Sequence, residues 1–200
     1  MRKITHVVNV GGVKVGGNNP IVVQSMTDTD TSDINKTVNQ IEELYNAGSE
    51  IVRVTVNNVE SAKAISKIKP ILSDKGINVP IIGDFHFIGH KILRTVPECA
   101  ENLDKYRINP GNLGSGNRKD DNFKTFIDIA KDLDKPVRIG VNAGSLDQEL
   151  LDLKMEENNR LRVPKSAEEV ESDALISSAI ISYQKAIDYG LSKNNIIISC

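Results

Sequence analysis

The 200-residue chain carries a formal net charge of −2 and 39% hydrophobic residues, of which few are aromatic. This near-neutral balance gives no argument for bulk attraction to nucleic acid or membranes, so anion binding would have to be local. Cys99 and Cys200 are the only cysteines, too few for a disulfide framework or a metal site, and they indicate a cytoplasmic protein. No apolar run approaches the roughly 20 residues that cross a bilayer.

The N-terminal segment predicts a β-hairpin or cap over residues 1–17. Apolar and polar residues alternate from Thr5 to Val15, as in a strand with one buried face. The alternation is broken at Gly11-Gly12 and ends at Gly16-Gly17, where turns are expected.

Short β-rich runs then alternate with amphipathic helical stretches along the rest of the chain. The predicted strands cover residues 20–26, 50–56, 79–87, 105–109, 136–142 and 195–200. The clearest predicted helices cover residues 32–48, 59–72, 122–133 and 167–190. The polar segment 146–166 is predicted as a solvated helical insertion before the last helix, with a lid or a dimer contact as the alternative.

Repeated β-to-α units with near-continuous apolar strands predict an α/β fold with a parallel sheet covered by helices. A doubly wound sheet and a (β/α)8 barrel both fit this alternation. No G-x-G-x-x-G motif follows the first strand, and polar residues recur toward the carboxyl ends of the strands, which favours the TIM-barrel type. A complete barrel has eight strands and typically about 250 residues. We therefore expect residues 1–200 to form an incomplete barrel, truncated after about six strands.

Three arginines interrupt otherwise apolar strands: Arg53, Arg107 and Arg138. Side chains alternate between the faces of a strand, and the apolar set must meet the helices. The polar set should therefore point into the barrel lumen. On each strand the polar residues of one face belong to this set: Arg53 and Thr55, Asp84 and His86, Arg107 and Asn109, and Arg138 and Asn142.

The charges of this polar set do not balance. A lone buried charge costs several kcal/mol even after relaxation, and Asp84 is the only obvious acidic member of the set. We predict that a bound anion supplies the missing counter-charge, because the guanidinium fork suits phosphate oxygens. The alternative is that each arginine pairs with a loop carboxylate or extends to water at the rim.

Five motifs together resemble one enzyme family. VQSMTDTDT (23–31), IVRVTV (51–56), DFHF (84–87), YRINPGN (106–112) and RIGVNAGSL (138–146) are similar, in order, to the 4-hydroxy-3-methylbut-2-enyl diphosphate synthases of the methylerythritol phosphate pathway. YRINPGN combined with RIGVNAGSL is the most specific part of the match. GHK (89–91) and the 146–166 insertion resemble the longer bacterial versions of the family.

The resemblance implies a reductase that converts 2-C-methyl-D-erythritol 2,4-cyclodiphosphate to 4-hydroxy-3-methylbut-2-enyl diphosphate. It implies a TIM barrel that holds the substrate, a separate C-terminal domain with a [4Fe-4S] cluster held by three Cys and one Glu, a homodimer, and flavodoxin or ferredoxin as electron donor. The motifs carry over Arg53, Arg107 and Arg138 as a diphosphate clamp, and Asn109 and Asn142 as further substrate contacts. They carry over Asp84 and His86 as the polar groups nearest the chemistry, either of which could deliver a proton.

The resemblance covers only the barrel portion. The cluster ligands are not found in this sequence, so we expect the iron–sulfur domain to be absent and residues 1–200 to be inactive alone. Two other hypotheses remain open at this stage. One is a different phosphate- or pterin-binding barrel such as dihydropteroate synthase, although its pterin-site motifs are not evident. The other is that the chain acts only as a non-catalytic binding module.

Overall fold

The computed structural model of the chain describes residues 3–114 and 116–200. Its strands are β1 (Val7–Val10), β2 (Val13–Gly16), β3 (Gln24–Met26), β4 (Ile51–Val56), β5 (Ile81–Phe85), β6 (Lys105–Ile108), β7 (Val137–Gly140) and β8 (Ile196–Ser199). Its α-helices are α1 (Ile34–Asn46), α2 (Val59–Asp74), α3 (Gly89–Thr95), α4 (Pro97–Asn102), α5 (Gly116–Asp132), α6 (Gln148–Asn159) and α7 (Ala167–Asp188).

Strands β3 to β8 form one parallel sheet in which each strand pairs with the next along the chain. The sheet curls into a half-barrel with helices outside, which confirms the predicted TIM-barrel type with six barrel strands. The first barrel strand is shorter than the predicted 20–26, because only Gln24–Met26 pair with β4. Pro20 has no N–H for a ladder, and the Val23 N–H donates to the Glu50 carboxylate at 2.8 Å instead.

The N-terminal hairpin closes the amino-terminal end of the half-barrel. Strands β1 and β2 pair antiparallel around Gly11 and Gly12, whose φ angles of 56° and 97° suit a type I′ turn. Val8 and Val10 are buried in one cluster with Ile51, the first residue of β4, and Ile82, the second residue of β5. The hairpin therefore packs against the amino-terminal parts of the barrel strands and forms the floor of the lumen.

Aromatic packing on the outer face fixes the orientation of the central strands. Phe85 on β5, Tyr106 on β6 and Phe126 on α5 are fully buried and meet edge to face, with ring centroids 5.5–5.8 Å apart. Each such pair contributes about 0.5–1.5 kcal/mol beyond its burial. The hydroxyl of Tyr106 donates to the Ala100 carbonyl at 2.7 Å. With these rings turned outward, the alternating residues of the same strands must face the lumen.

The 146–166 insertion is helical and most of its side chains are exposed or half-buried. It contains α6, which lies against α7. Buried Asn158 ties the following loop to α6, because its amide donates to the Lys165 carbonyl at 3.0 Å and accepts from the Lys165 N–H at 2.8 Å. No helix within residues 3–114 and 116–200 has both the length and the apolar character that a membrane crossing requires.

Candidate functional site

Asp84 lies at the centre of the lumen face and contacts two of the three predicted arginines. Its carboxylate accepts a hydrogen bond from Arg107 Nη1 at 3.2 Å, and its other oxygen lies 3.6 Å from Arg53 Nε. Only 7% of the Asp84 side chain is exposed, and the two guanidinium side chains are also mostly buried. The Arg53 guanidinium additionally contacts Met26 Sδ at 3.0 Å. One carboxylate thus orients two cations from the neighbouring strands β4 and β6.

Arg138, the third predicted arginine, pairs with a hydroxyl and not with a carboxylate. Its Nε and Nη2 atoms donate to Ser199 Oγ at 3.0 and 2.7 Å. Within the described parts of the chain, no acidic group forms an ion pair with it. Burial lowers the pKa of Arg138, and the positive charges of Arg53 and Arg107 lower it further. Asp84 raises this pKa by a smaller amount, although it forms no ion pair with Arg138.

A glycine on β7 makes room for the Arg107 side chain. Arg107 and Arg138 are register partners on β6 and β7, and the Arg107 guanidinium lies over Gly140. A Cβ at Gly140 would come within 2.9 Å of Arg107 Nε. That Nε atom is buried and has no hydrogen-bond partner among the described residues, so the guanidinium keeps an unused donor.

Lys105 is a fourth lumen cation that the sequence analysis missed. It precedes Arg107 by two residues on β6 and therefore lies on the same face, which is the signal that could have identified it. The residue is 3% exposed, and its Nζ donates to Gln24 Oε1 at 3.3 Å. Burial lowers the pKa of Lys105 to about 8, with smaller contributions from Arg138 and Arg53.

The lumen therefore holds four cationic side chains, and the Asp84 carboxylate pairs with two of them. Asp84 contacts Arg53 and Arg107, whereas Lys105 and Arg138 have only neutral hydrogen-bond partners among the described residues. Removing such charges from water costs several kcal/mol per ion when they are not paired. This arrangement favours occupation by an anion with several oxygens.

Two predicted asparagines meet at the carboxyl end of β6 and β7, and a backbone group fixes their orientation. The Gly111 N–H donates to Asn109 Oδ1 at 3.0 Å, so Asn109 Nδ2 must be the atom that points the other way. Asn109 Nδ2 donates to Asn142 Oδ1 at 2.6 Å and to Ser145 Oγ at 2.5 Å. Asn142 Oδ1 is thereby used as an acceptor, and the donor Nδ2 of Asn142 remains available for a ligand. Asn109, which is 1% exposed, has both its donor hydrogens engaged.

The remaining predicted residue, His86, lies just beyond the carboxyl end of β5. Its side chain is half-buried and makes no hydrogen bond to the described residues. The structure therefore brings together Arg53, Asp84 and Arg107 by direct contact, and Asn109 with Asn142. Arg138 interacts electrostatically with the first group but makes no ion pair with Asp84. His86 lies apart from both groups, at the rim.

The cysteines of this chain do not fit an iron–sulfur cluster. Such clusters are held mainly by several thiolates that converge on one point. Cys99 is completely buried in the outer core, where burial raises the pKa of its thiol to about 12, and Cys200 is exposed after β8. Among the described residues, no three His, Cys, Asp or Glu side chains converge as metal ligands.

The fold and the site together define an α/β barrel protein whose lumen is lined by cationic side chains. A family model described as the GcpE TIM-barrel domain matches residues 5–200. The chain belongs to this family, the N-terminal barrel part of the 4-hydroxy-3-methylbut-2-enyl diphosphate synthases of isoprenoid biosynthesis. The family resemblance inferred from the sequence motifs is thus confirmed.

Solved structures with the same fold are only distantly related in sequence. Dihydropteroate synthase from Burkholderia cenocepacia has a TM-score of 0.60 at 12% identity, over 98% of this chain and 64% of that enzyme. The Vibrio fischeri ES114 enzyme has a TM-score of 0.60 at 11% identity, over 97% of this chain and 66% of its own. A truncated 3-deoxy-D-arabino-heptulosonate 7-phosphate synthase from Thermotoga maritima has a TM-score of 0.53 at 16% identity, over 98% of this chain and 56% of that enzyme. These similarities show the fold alone, and the chain spans less than two thirds of each length.

Proposed function

We propose that this chain is the substrate-binding barrel of a reductase that converts 2-C-methyl-D-erythritol 2,4-cyclodiphosphate to 4-hydroxy-3-methylbut-2-enyl diphosphate. The observation that carries the proposal is the excess of cations on the lumen face: it holds four cationic side chains, and Asp84 pairs with only two of them. A cyclic diphosphate supplies the missing negative charge and the oxygens that guanidinium groups bind. The family match supplies the reaction class.

In this proposal the arginines form the diphosphate clamp. Arg53 and Arg107 are pre-oriented by Asp84, so little side-chain entropy is lost when the ligand binds. Arg138 is held by Ser199 and keeps the rest of its fork free for phosphate oxygens. Asn142 offers its Nδ2 donor at the carboxyl end of β7, where barrel enzymes place their reacting groups.

The carbon skeleton of the substrate would then lie toward the rim, near His86. Of the two predicted proton donors, Asp84 is engaged by two guanidinium groups, whereas His86 makes no hydrogen bond to the described residues. We therefore assign proton delivery to His86 and orientation of the clamp to Asp84. A [4Fe-4S] cluster would supply two electrons from flavodoxin or ferredoxin. Its ligands would come from outside this chain, in a homodimer, because Cys99 and Cys200 do not fit it.

Ligand binding to the intact protein tests this function. Isothermal titration with the cyclic diphosphate should give saturable binding that Arg107→Ala abolishes. Arg94→Ala is the matched control, because Arg94 is an exposed arginine on α3 outside the lumen, and it should leave binding unchanged. Absence of binding to the cyclic diphosphate would overturn the proposal. Binding of 7,8-dihydropteroate, the ligand of the Burkholderia structure, would favour the dihydropteroate synthase hypothesis instead.

A further inference from the structure

A cavity lies beneath the arginine clamp, at the floor of the lumen. Its volume is about 210 Å³, and it is partly open to solvent. The walls are mostly aliphatic and come from the hairpin and from the starts of the barrel strands. The lining residues are Val15, Val22, Gln24, Ile51, Lys105, Arg138 and Ile197.

Two cationic side chains face this cavity without a carboxylate. Lys105 is 97% buried, and only one of its three N–H donors is used, in a long bond to Gln24 Oε1. Arg138 uses its Nε and Nη2 on Ser199 and retains further donors. Asp84 contacts Arg53 and Arg107, and it makes no ion pair with either of the two floor cations.

We propose that Lys105 and Arg138 together hold one phosphate-sized oxyanion at this floor cavity, with Arg138 shared between the cavity and the clamp. The subsite lies deeper than the contact between Asp84 and the other two arginines, because Lys105 and Gln24 stand at the starts of β6 and β3. The volume accommodates a phosphoryl group with a few water molecules. The inference deepens the proposed function, since the same anion could be one end of the diphosphate or a separate inorganic phosphate.

Protonation of Lys105 should control the affinity of this subsite. The charged groups that act on Lys105 are Arg138 from β7 and Arg53 from β4, so its surroundings are positive. A cationic Lys105 attracts the oxyanion and a neutral one does not. Anion affinity should therefore fall as pH rises through about 8, the pKa to which burial lowers Lys105.

Titration of the intact protein with inorganic phosphate and with inorganic diphosphate tests the subsite. Lys105→Met should weaken phosphate binding at least about tenfold, as expected for the loss of a charge-assisted contact worth roughly 1.4 kcal/mol or more. Lys105→Arg should retain binding and lose the decline near pH 8. Lys67→Met removes the same charge from the exposed face of α2 and should change neither result.

The Lys105 and Arg107 variants together distinguish failure of the floor subsite from failure of the proposed function. If Arg107→Ala abolishes diphosphate binding while Lys105→Met leaves phosphate and diphosphate affinity unchanged, the clamp stands and the floor subsite is refuted. If Lys105→Met abolishes phosphate binding while Arg107→Ala leaves the cyclic diphosphate unaffected, the floor subsite stands and the clamp is refuted. A phosphate affinity that stays constant between pH 7 and about pH 10 in the native protein would also overturn the role of Lys105.

Discussion

Replacing Lys105 by methionine should stabilise the ligand-free protein. Burial lowers the pKa of Lys105 from 10.5 to about 8, and each pKa unit corresponds to 1.36 kcal/mol, so the buried charge costs about 3 kcal/mol. Methionine has a similar shape and no charge. Loss of the 3.3 Å hydrogen bond to Gln24 offsets this gain in stability by about 1 kcal/mol. The loss is no larger because Gln24 is exposed and can bond to water instead. The expected net gain at pH 7 is about 2 kcal/mol in the free energy of unfolding.

The sign of the pH dependence distinguishes this cause from better packing. Below about pH 8 the lysine is charged in both states, and the full cost is present. Between about pH 8 and 10.5 the folded state loses the proton while the unfolded state keeps it, so the stability of the native protein rises with pH. The advantage of Lys105→Met should therefore shrink toward about pH 10.

Urea unfolding at pH 7 and near pH 10, in buffer without phosphate, measures both quantities. The matched variant Lys67→Met lies on the exposed face of α2 and should change stability by less than about 0.5 kcal/mol. A Lys105→Met protein that is less stable than the native protein at pH 7 would refute the reasoning. That result would mean that a partner already compensates the charge of Lys105.

Three further substitutions test other contacts of the lumen. Asp84→Asn removes the carboxylate shared by Arg53 and Arg107 and should lower the free energy of unfolding by about 3–5 kcal/mol, measured by urea denaturation. Gly140→Ala places a Cβ 2.9 Å from Arg107 Nε, so it should displace this guanidinium and weaken diphosphate binding about tenfold in calorimetry. Asn109→Asp removes the donor to Asn142 Oδ1, so Asn142 should turn over and affinity for the cyclic diphosphate should fall about tenfold.

Each of these three substitutions has an outcome that would contradict it. For Asp84→Asn, unchanged stability would show that the two guanidinium groups have other partners. For Gly140→Ala, the fold should persist because the displaced atoms end a flexible side chain, and unaltered affinity would show that Arg107 need not lie over β7. For Asn109→Asp, the control Asn78→Asp adds the same charge at an exposed position. Equal affinities of these two variants would exclude a positioning role for Asn109.

The architecture was predictable because it depends on local periodicity. Alternation and paired glycines predicted the N-terminal hairpin, and the β-to-α repeat predicted the six parallel strands. The same period of two placed Arg53, Arg107 and Arg138 on the lumen face. These features need only the sequence within a few residues of each element.

The partners of those side chains were not predictable, because they depend on contacts between distant strands. The sequence indicated Asp84 as the only obvious acidic lumen residue. It did not show that Asp84 pairs with Arg53 and Arg107, or that Arg138 instead donates to the Ser199 hydroxyl. Lys105 was missed because a charged residue at a strand boundary resembles an exposed end. Its burial follows from the hairpin floor, which is a long-range feature.

The central claim is that the cationic lumen binds a diphosphate. A crystal structure of the intact protein with 2-C-methyl-D-erythritol 2,4-cyclodiphosphate tests it most directly. We expect phosphoryl oxygens within about 3 Å of the guanidinium groups of Arg107 and Arg138. A ligand bound outside the lumen, with carboxylates from elsewhere in the protein paired to these arginines, would contradict it.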